Sequence, residues 1–77
     1  MKVLTRKELA RYSGRDGSAA YIAYEGRVYD VTDSPLWRNG RHWIRIQAGQ
    51  DLTGSLAQAP HGTDLLERVP QIGILIE

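Results

Sequence analysis

The sequence of 77 residues contains no cysteine and no phenylalanine. The absence of cysteine excludes disulfide bonds, thiolate metal sites and iron–sulfur clusters. We expect a single domain over residues 1–77, with a core so small that its folding free energy is close to balance. A bound ligand would stabilise such a fold, because it binds the folded chain and not the unfolded one.

The chain also lacks a long apolar run and an excess of charge of either sign. The chain has ten Lys and Arg residues and nine Asp and Glu residues. A nucleic-acid-binding domain, in contrast, usually has a strongly basic face. No stretch approaches the roughly 20 apolar residues of a membrane span. The start of the chain, residues 1–6, lacks the apolar run of a signal peptide. We therefore expect a cytoplasmic protein with no membrane span and no nucleic-acid partner.

The first part of the sequence predicts a short helix followed by a β-hairpin. Thr5 and Glu8 have the spacing of a capping box, which predicts a helix of about two turns. Two β-rich runs, residues 20–24 and 27–31, are separated by a Glu-Gly pair. A two-residue turn with glycine in second place is typical of a hairpin.

The remaining sequence predicts short elements only. We expect a brief helix over Arg41 to Gln47, a helix over Leu52 to Gln58 with Asp51 as its N-cap, a helix over Asp64 to Arg68, and a strand over Gln71 to Ile76. This order of elements predicts an α+β fold. The middle of the chain is rich in turn residues and costly to fold unless something packs inside it.

Three segments of the sequence carry a resemblance to a known family. These segments are Val28-Tyr29-Asp30-Val31-Thr32, Gln47-Ala48-Gly49-Gln50-Asp51-Leu52-Thr53 and His61-Gly62-Thr63. Together they are similar to the signature of cytochrome b5-like haem/steroid-binding domains, and the chain resembles the short prokaryotic members. The opening residues 4–9 and the closing residues 71–73 resemble the ends of the same domain. The resemblance implies a small mixed sheet with short helices that form a pocket for haem b (iron protoporphyrin IX).

The same resemblance implies that two histidines hold the iron, and the chain contains two. His61 falls on the second ligand position. The first position, where the family usually begins a His-Pro-Gly-Gly motif, falls on Trp37. The progesterone-receptor branch of the family lacks that motif and uses tyrosine, but no tyrosine follows Trp37. Short prokaryotic members carry a histidine a few residues before the Ala-Gly pair, as His42 does. The alternative for His61 and His42 is an exposed histidine without a metal.

Four further residues are candidates for contact with the haem. The predicted helix would place His42 and Ile46 on one face. Trp37 and Trp43 have large apolar rings that could stack on a porphyrin, or else serve as ordinary core anchors. Gly49 belongs to the Ala-Gly segment, where glycine allows a positive φ or a close approach. Because no cysteine is present to form a thioether, any haem would be held non-covalently.

Two nitrogen ligands would saturate the iron, which favours one-electron transfer with a redox partner protein over oxygen chemistry. Ser, His and Asp stand in no nucleophile motif, so we predict that the domain is not an enzyme. Two alternatives belong to other classes of protein. The pocket could bind a steroid-like small molecule, or the domain could be a haem-free interaction module, because a fold does not determine a function.

Overall fold

A computed structural model describes residues 1–37, 41–42, 46–58, 66 and 68–76, with the backbone alone at 41–42. These ranges contain β1 (Lys2–Leu4), α1 (Arg6–Leu9), β2 (Tyr21–Tyr24), β3 (Arg27–Asp30), β4 (Arg41–His42), β5 (Ile46–Gln47), α2 (Thr53–Gln58) and β6 (Gln71–Leu75). A four-stranded sheet has the strand order β1-β6-β3-β2, and β4 pairs with β5 separately. The predicted α+β class with a small mixed sheet is confirmed.

Helix α1 begins at the predicted capping box. The Thr5 hydroxyl accepts a hydrogen bond from the Glu8 N–H at 3.1 Å, and the Glu8 carboxylate accepts one from the Thr5 N–H at 2.9 Å. Both bonds satisfy amide groups that have no partner within the helix. The hydrogen bonds with Thr5 also lower the pKa of Glu8. The helix covers four residues and is therefore shorter than predicted.

Strands β2 and β3 form the predicted hairpin. Glu25 and Gly26 have φ values of 49° and 78°, as expected of a type I′ turn, whose twist matches that of the flanking strands. Side chains of β2 alternate between the two faces of the sheet. Ile22 packs into one apolar cluster and Ala23 into the other, and both are fully buried. The sheet is therefore covered on both faces.

Strand β6 is the last element of the chain but an inner strand of the sheet. It pairs antiparallel with β3 and parallel with β1. The C-terminal strand was predicted, whereas β1 was not. At the centre of β6, a Cβ atom on Gly73 would lie 2.4 Å from the carbonyl oxygen of Lys2. Only glycine therefore allows β1 to pair at this distance.

The predicted helix over Arg41 to Gln47 is wrong. Strands β4 and β5 form an antiparallel ribbon in which His42 lies opposite Ile46. A contact from elsewhere in the chain favours the extended conformation, because the Gln47 amide donates a hydrogen bond to the carbonyl oxygen of Ser13 at 2.7 Å. Helix propensity is a weak preference that such tertiary contacts override.

Helix α2 begins one residue after its predicted start. Asp51 accepts a hydrogen bond from the Thr53 N–H at 3.0 Å, so it satisfies an amide at the helix N-terminus as predicted. Leu56 is the buried residue through which the helix packs on the core. The predicted helix over Asp64 to Arg68 lies mostly outside the described residues.

Candidate functional site

The larger apolar cluster lies between the sheet and the segments that follow it. Its buried members are Ala20, Ile22, Val31, Trp37, Ala48, Leu52 and Leu56. Half-buried side chains pack against it, among them Ile46, Leu66 and Val69. Ile46 follows His42 in the chain and pairs with it across the β4–β5 ribbon, and Leu66 follows His61. Ile46, the ribbon partner of His42, therefore lies at the edge of the cluster.

Two of the six candidate residues meet in this cluster. Trp37 is fully buried and is the largest buried side chain among the described residues. Ile46 is half-buried and packs against the same cluster. Trp37 thus has the core-anchor role that the sequence left open, in the position where the family usually has its first ligand. Ile46 keeps part of its side chain accessible at the edge.

Gly49 packs against the loop that follows α1. Its φ is +90°, and a Cβ atom there would lie 3.3 Å from the Cα atom of Ser13. Its N–H donates a hydrogen bond to the carbonyl oxygen of Tyr21 at 2.7 Å, which holds the Ala-Gly segment against the edge of β2. The glycine is therefore required by the backbone, and its neighbour Ala48 enters the cluster.

The remaining candidates are described incompletely. For His42 the structure gives the backbone position in β4. Trp43 and His61 lie outside the described residues. Their roles therefore stay predictions. Within the described ranges, no group of three or more His, Cys, Asp or Glu side chains is arranged to hold a metal ion.

Two similar hydrogen-bonded motifs hold the ends of β2. In Asp30-Val31-Thr32 and in Asp51-Leu52-Thr53, the aspartate Oδ1 accepts hydrogen bonds from both the N–H and the hydroxyl of the threonine. The Thr32 hydroxyl oxygen accepts the N–H of Ala20 at 2.9 Å, and that of Thr53 accepts the N–H of Glu25 at 2.8 Å. We call these motifs the first clamp and the second clamp.

The sequence indicated only part of the clamps. Asp51 was expected to cap a helix, whereas the bonds of Thr32 and Thr53 to the ends of β2 were missed. The signal was present in the sequence as a repeated Asp-x-Thr spacing with an apolar residue in the middle. The strand that both motifs hold is visible only in the fold.

The second clamp also carries the ion pair that connects α1 with α2. An Arg6 guanidinium nitrogen lies 3.0 Å from Asp51 Oδ2. Burial raises the pKa of Asp51, but the hydrogen bonds from Thr53 and the charge of Arg6 outweigh it and hold the pKa below its ordinary value of 3.8. Asp51 is therefore charged near neutral pH, as its hydrogen bonds require.

A cleft of about 450 Å³ opens beside the cluster, between the segment after β3 and the segment before β6. Its lining residues are Asp30, Asp33, Ser34, Pro35, Leu36, Arg68, Val69 and Pro70. Val69 belongs to both the cleft and the edge of the cluster. Within the described residues, none of the six candidates lines this cleft.

Comparison with known proteins assigns the family. The sequence model of the cytochrome b5-like haem/steroid binding domain matches residues 5–76. The chain belongs to this family. No curated protein matches it. The earlier resemblance is thus confirmed over almost the whole chain.

Solved structures of cytochrome b5 domain proteins are similar to this chain throughout. One from Hadesarchaea has a TM-score of 0.91 and 51% identity, and the match covers 99% of this chain and 100% of that one. One from Methanococcoides burtonii has a TM-score of 0.92 and 47% identity over 99% of each chain. A hypothetical protein from Arabidopsis thaliana with a cytochrome b5 like fold has a TM-score of 0.76 at 20% identity, covering 100% and 93% of the two chains. The predicted cytochrome b5-like fold is confirmed.

The described residues of this b5-like domain fit an apolar, planar group. Half-buried apolar side chains at the edge of the cluster offer the kind of surface that a porphyrin ring covers. Imidazole nitrogen is a common axial ligand of haem iron, and the chain contains two imidazoles. Among the described residues, no helix is long and apolar enough to cross a membrane.

Proposed function

We propose that this chain is one cytochrome b5-like domain over residues 1–77 that binds haem b non-covalently and transfers one electron to or from a partner protein. The observation that carries the proposal is the apolar cluster, whose partly exposed edge includes Ile46, the ribbon partner of His42. Family membership supports it. We propose no catalytic reaction for the domain, and its cytoplasmic location stays a prediction from the sequence.

In this proposal each candidate residue has a separate role. His61 and His42 would hold the iron, which supplies the change between its ferric and ferrous states. Ile46 would cover part of the ring with its accessible surface, and Trp43 would form a further wall. Trp37 is fully buried and would support the site from inside the core. Gly49, which lies between His42 and His61 in the sequence, holds the Ala-Gly segment against β2 through its hydrogen bond to Tyr21.

Haem titration of the purified protein tests this function. We expect a sharp low-spin Soret band and split α and β bands on reduction, because two imidazoles saturate the iron. Acid–organic extraction should remove all the haem, since the chain has no cysteine. His61→Ala and His42→Ala should each convert the low-spin spectrum to a high-spin one, whereas substitution of the half-exposed Tyr24 by Phe should leave it low-spin. Absence of uptake by the wild-type protein would refute the function.

The same spectra also test the two ligand assignments separately. If the wild type is already high-spin and His42→Ala leaves its spectrum unchanged, the assignment of His42 is wrong while haem binding itself stands. If His61→Ala has no effect, the resemblance has placed the second ligand wrongly. Each histidine variant should remain folded by far-UV circular dichroism, so that a lost spectrum reports ligation.

A second candidate function is the binding of a small apolar molecule of the steroid kind. The observation that favours it is the cleft, whose volume of about 450 Å³ falls within the range of small-molecule pockets. Because Ile46 does not line the cleft, a molecule bound there should leave this part of the cluster edge accessible to haem. Fluorescence titration with a steroid, with and without haem, tests this. Substitution of Leu36 by Asp, which removes part of the apolar lining of the cleft, should weaken binding there.

A further inference from the structure

Each clamp lies at a point where the chain leaves the sheet. The segments that follow lead, in sequence order, to the candidate residues Trp37 and His61. The first clamp precedes residues 33–37, which end at the buried Trp37. The second clamp precedes α2, from which the chain continues towards His61. Between the aspartate and the threonine, Val31 and Leu52 are both buried in the larger cluster. Each clamp therefore fixes both a backbone direction and a core side chain.

The threonine hydroxyl is the central group of each clamp. A hydroxyl donates one hydrogen bond and accepts others, and here it donates to the aspartate and accepts a backbone N–H at one end of β2. The bond to the carboxylate is charge-assisted and hence stronger than a neutral one. Valine in place of threonine keeps the shape and loses both bonds, whereas serine keeps them.

We propose that Thr32 and Thr53 are positioning residues for the haem site, holding residues 33–37 and helix α2 in their haem-binding arrangement before haem arrives. This inference rests on the proposed haem binding. The threonines act through the segments that follow them. Because each clamp joins its segment to β2, residues 33–37 and helix α2 are both positioned relative to the same strand. They are therefore positioned relative to each other.

A positioning role has a consequence that a merely structural role lacks. The apparent dissociation constant of a ligand rises in proportion as the binding-competent fraction of the free protein falls. Loss of the two hydrogen bonds that the threonine hydroxyl makes in one clamp is enough to lower that fraction to roughly a tenth, so haem should bind about tenfold more weakly. Loss of a contact that stabilises the free and bound forms equally would lower the melting temperature and leave the dissociation constant unchanged.

The experiment compares Thr32→Val and Thr53→Val with two kinds of control. Thr32→Ser and Thr53→Ser retain the hydroxyl and should restore wild-type affinity. Thr5→Val removes the hydroxyl that caps α1 and should lower the melting temperature. It is the control for Thr32→Val, because the ion pair between Arg6 and Asp51 connects α1 with the second clamp and not with the first. Soret titration at a temperature where each haem-free variant is folded gives the dissociation constants. Wild-type affinity in both valine variants would overturn the inference.

Amide hydrogen exchange of the haem-free protein provides a second readout that needs no cofactor. The Trp37 N–H donates a hydrogen bond to the carbonyl oxygen of Ser34 at 3.0 Å. The Leu56 N–H donates one to the carbonyl oxygen of Leu52 at 2.9 Å. Thr32→Val should speed exchange at Trp37, and Thr53→Val should speed it at Leu56, while Thr5→Val should leave exchange at Trp37 unchanged. Unchanged exchange at both amides refutes the positioning role whatever the haem result. Absence of haem uptake by the wild type, with faster exchange in the variants, refutes the proposed function instead.

Discussion

Substitution of Gly73 by alanine tests the packing of the sheet most directly. The added Cβ would lie 2.4 Å from the Lys2 carbonyl oxygen, 3.0 Å from its carbonyl carbon and 3.1 Å from its Cβ. Ordinary contact begins at 3.4 Å, so β1 must move away from β6 by about 1 Å. A displacement of that size lengthens a hydrogen bond of about 2.9 Å beyond the range in which it counts as one. The clash involves backbone atoms, which no side-chain rotation relieves.

The expected loss of stability follows from the bonds that β1 would give up. Each net hydrogen bond contributes about 1 kcal/mol, and overpacking of a tight site costs about 1–3 kcal/mol. We therefore expect Gly73→Ala to lower the free energy of unfolding by about 2–3 kcal/mol. For a domain of this size, that lowers the melting temperature by about 10–20 °C. Differential scanning calorimetry or thermal circular dichroism measures the shift.

Gly54→Ala is the matched control, because it makes the same chemical change at an open site. Gly54 lies within α2 and has no heavy atom within 4 Å of its added Cβ. Alanine is the better helix former by about 0.5–1 kcal/mol, so this variant should be more stable than the wild type. Equal melting temperatures for Gly73→Ala and the wild type would show that β1 is not paired as described.

Two further predictions concern the core and the second clamp. Trp37→Ala should lower the free energy of unfolding by about 3–5 kcal/mol, because it empties a fully buried site; a urea-unfolding loss below about 1 kcal/mol would contradict the core-anchor role. The pKa of Asp51 is lowered in the folded state, so its stabilising effect is present above the unfolded value of about 3.8 and is lost as the pH falls through the folded value. Asp51→Asn should therefore flatten the pH dependence of the melting temperature below about pH 4, with Asp33→Asn as the control. Parallel wild-type and Asp51→Asn curves would count against the hydrogen bonds of Asp51 with Thr53 and its ion pair with Arg6.

The arrangement of His42 and Ile46 was predicted from an assumed secondary structure. The proximity of His42 and Ile46 was expected on a helix, yet the structure pairs them across a two-stranded ribbon. The prediction that His42 and Ile46 are neighbours was correct, but it rested on the wrong secondary structure. Short apolar runs do not distinguish helix from strand by periodicity, and here a bond from Gln47 to a distant loop favours the strand.

Determinants that act over a few residues were readable from the sequence alone. The capping box at Thr5 and the Glu-Gly turn each depend on side chains and φ values within four residues, and the family motifs follow one another along the chain. The tertiary structure alone decided the pairing of β1 with β6, the inner place of β6, and the clamping of β2 at both ends. These contacts join segments from distant parts of the chain, and no local period or turn residue specifies the partner of a strand. Gly73 shows the difference: in the sequence it interrupts an apolar strand, and only the approach of Lys2 in the fold explains why no larger residue fits there.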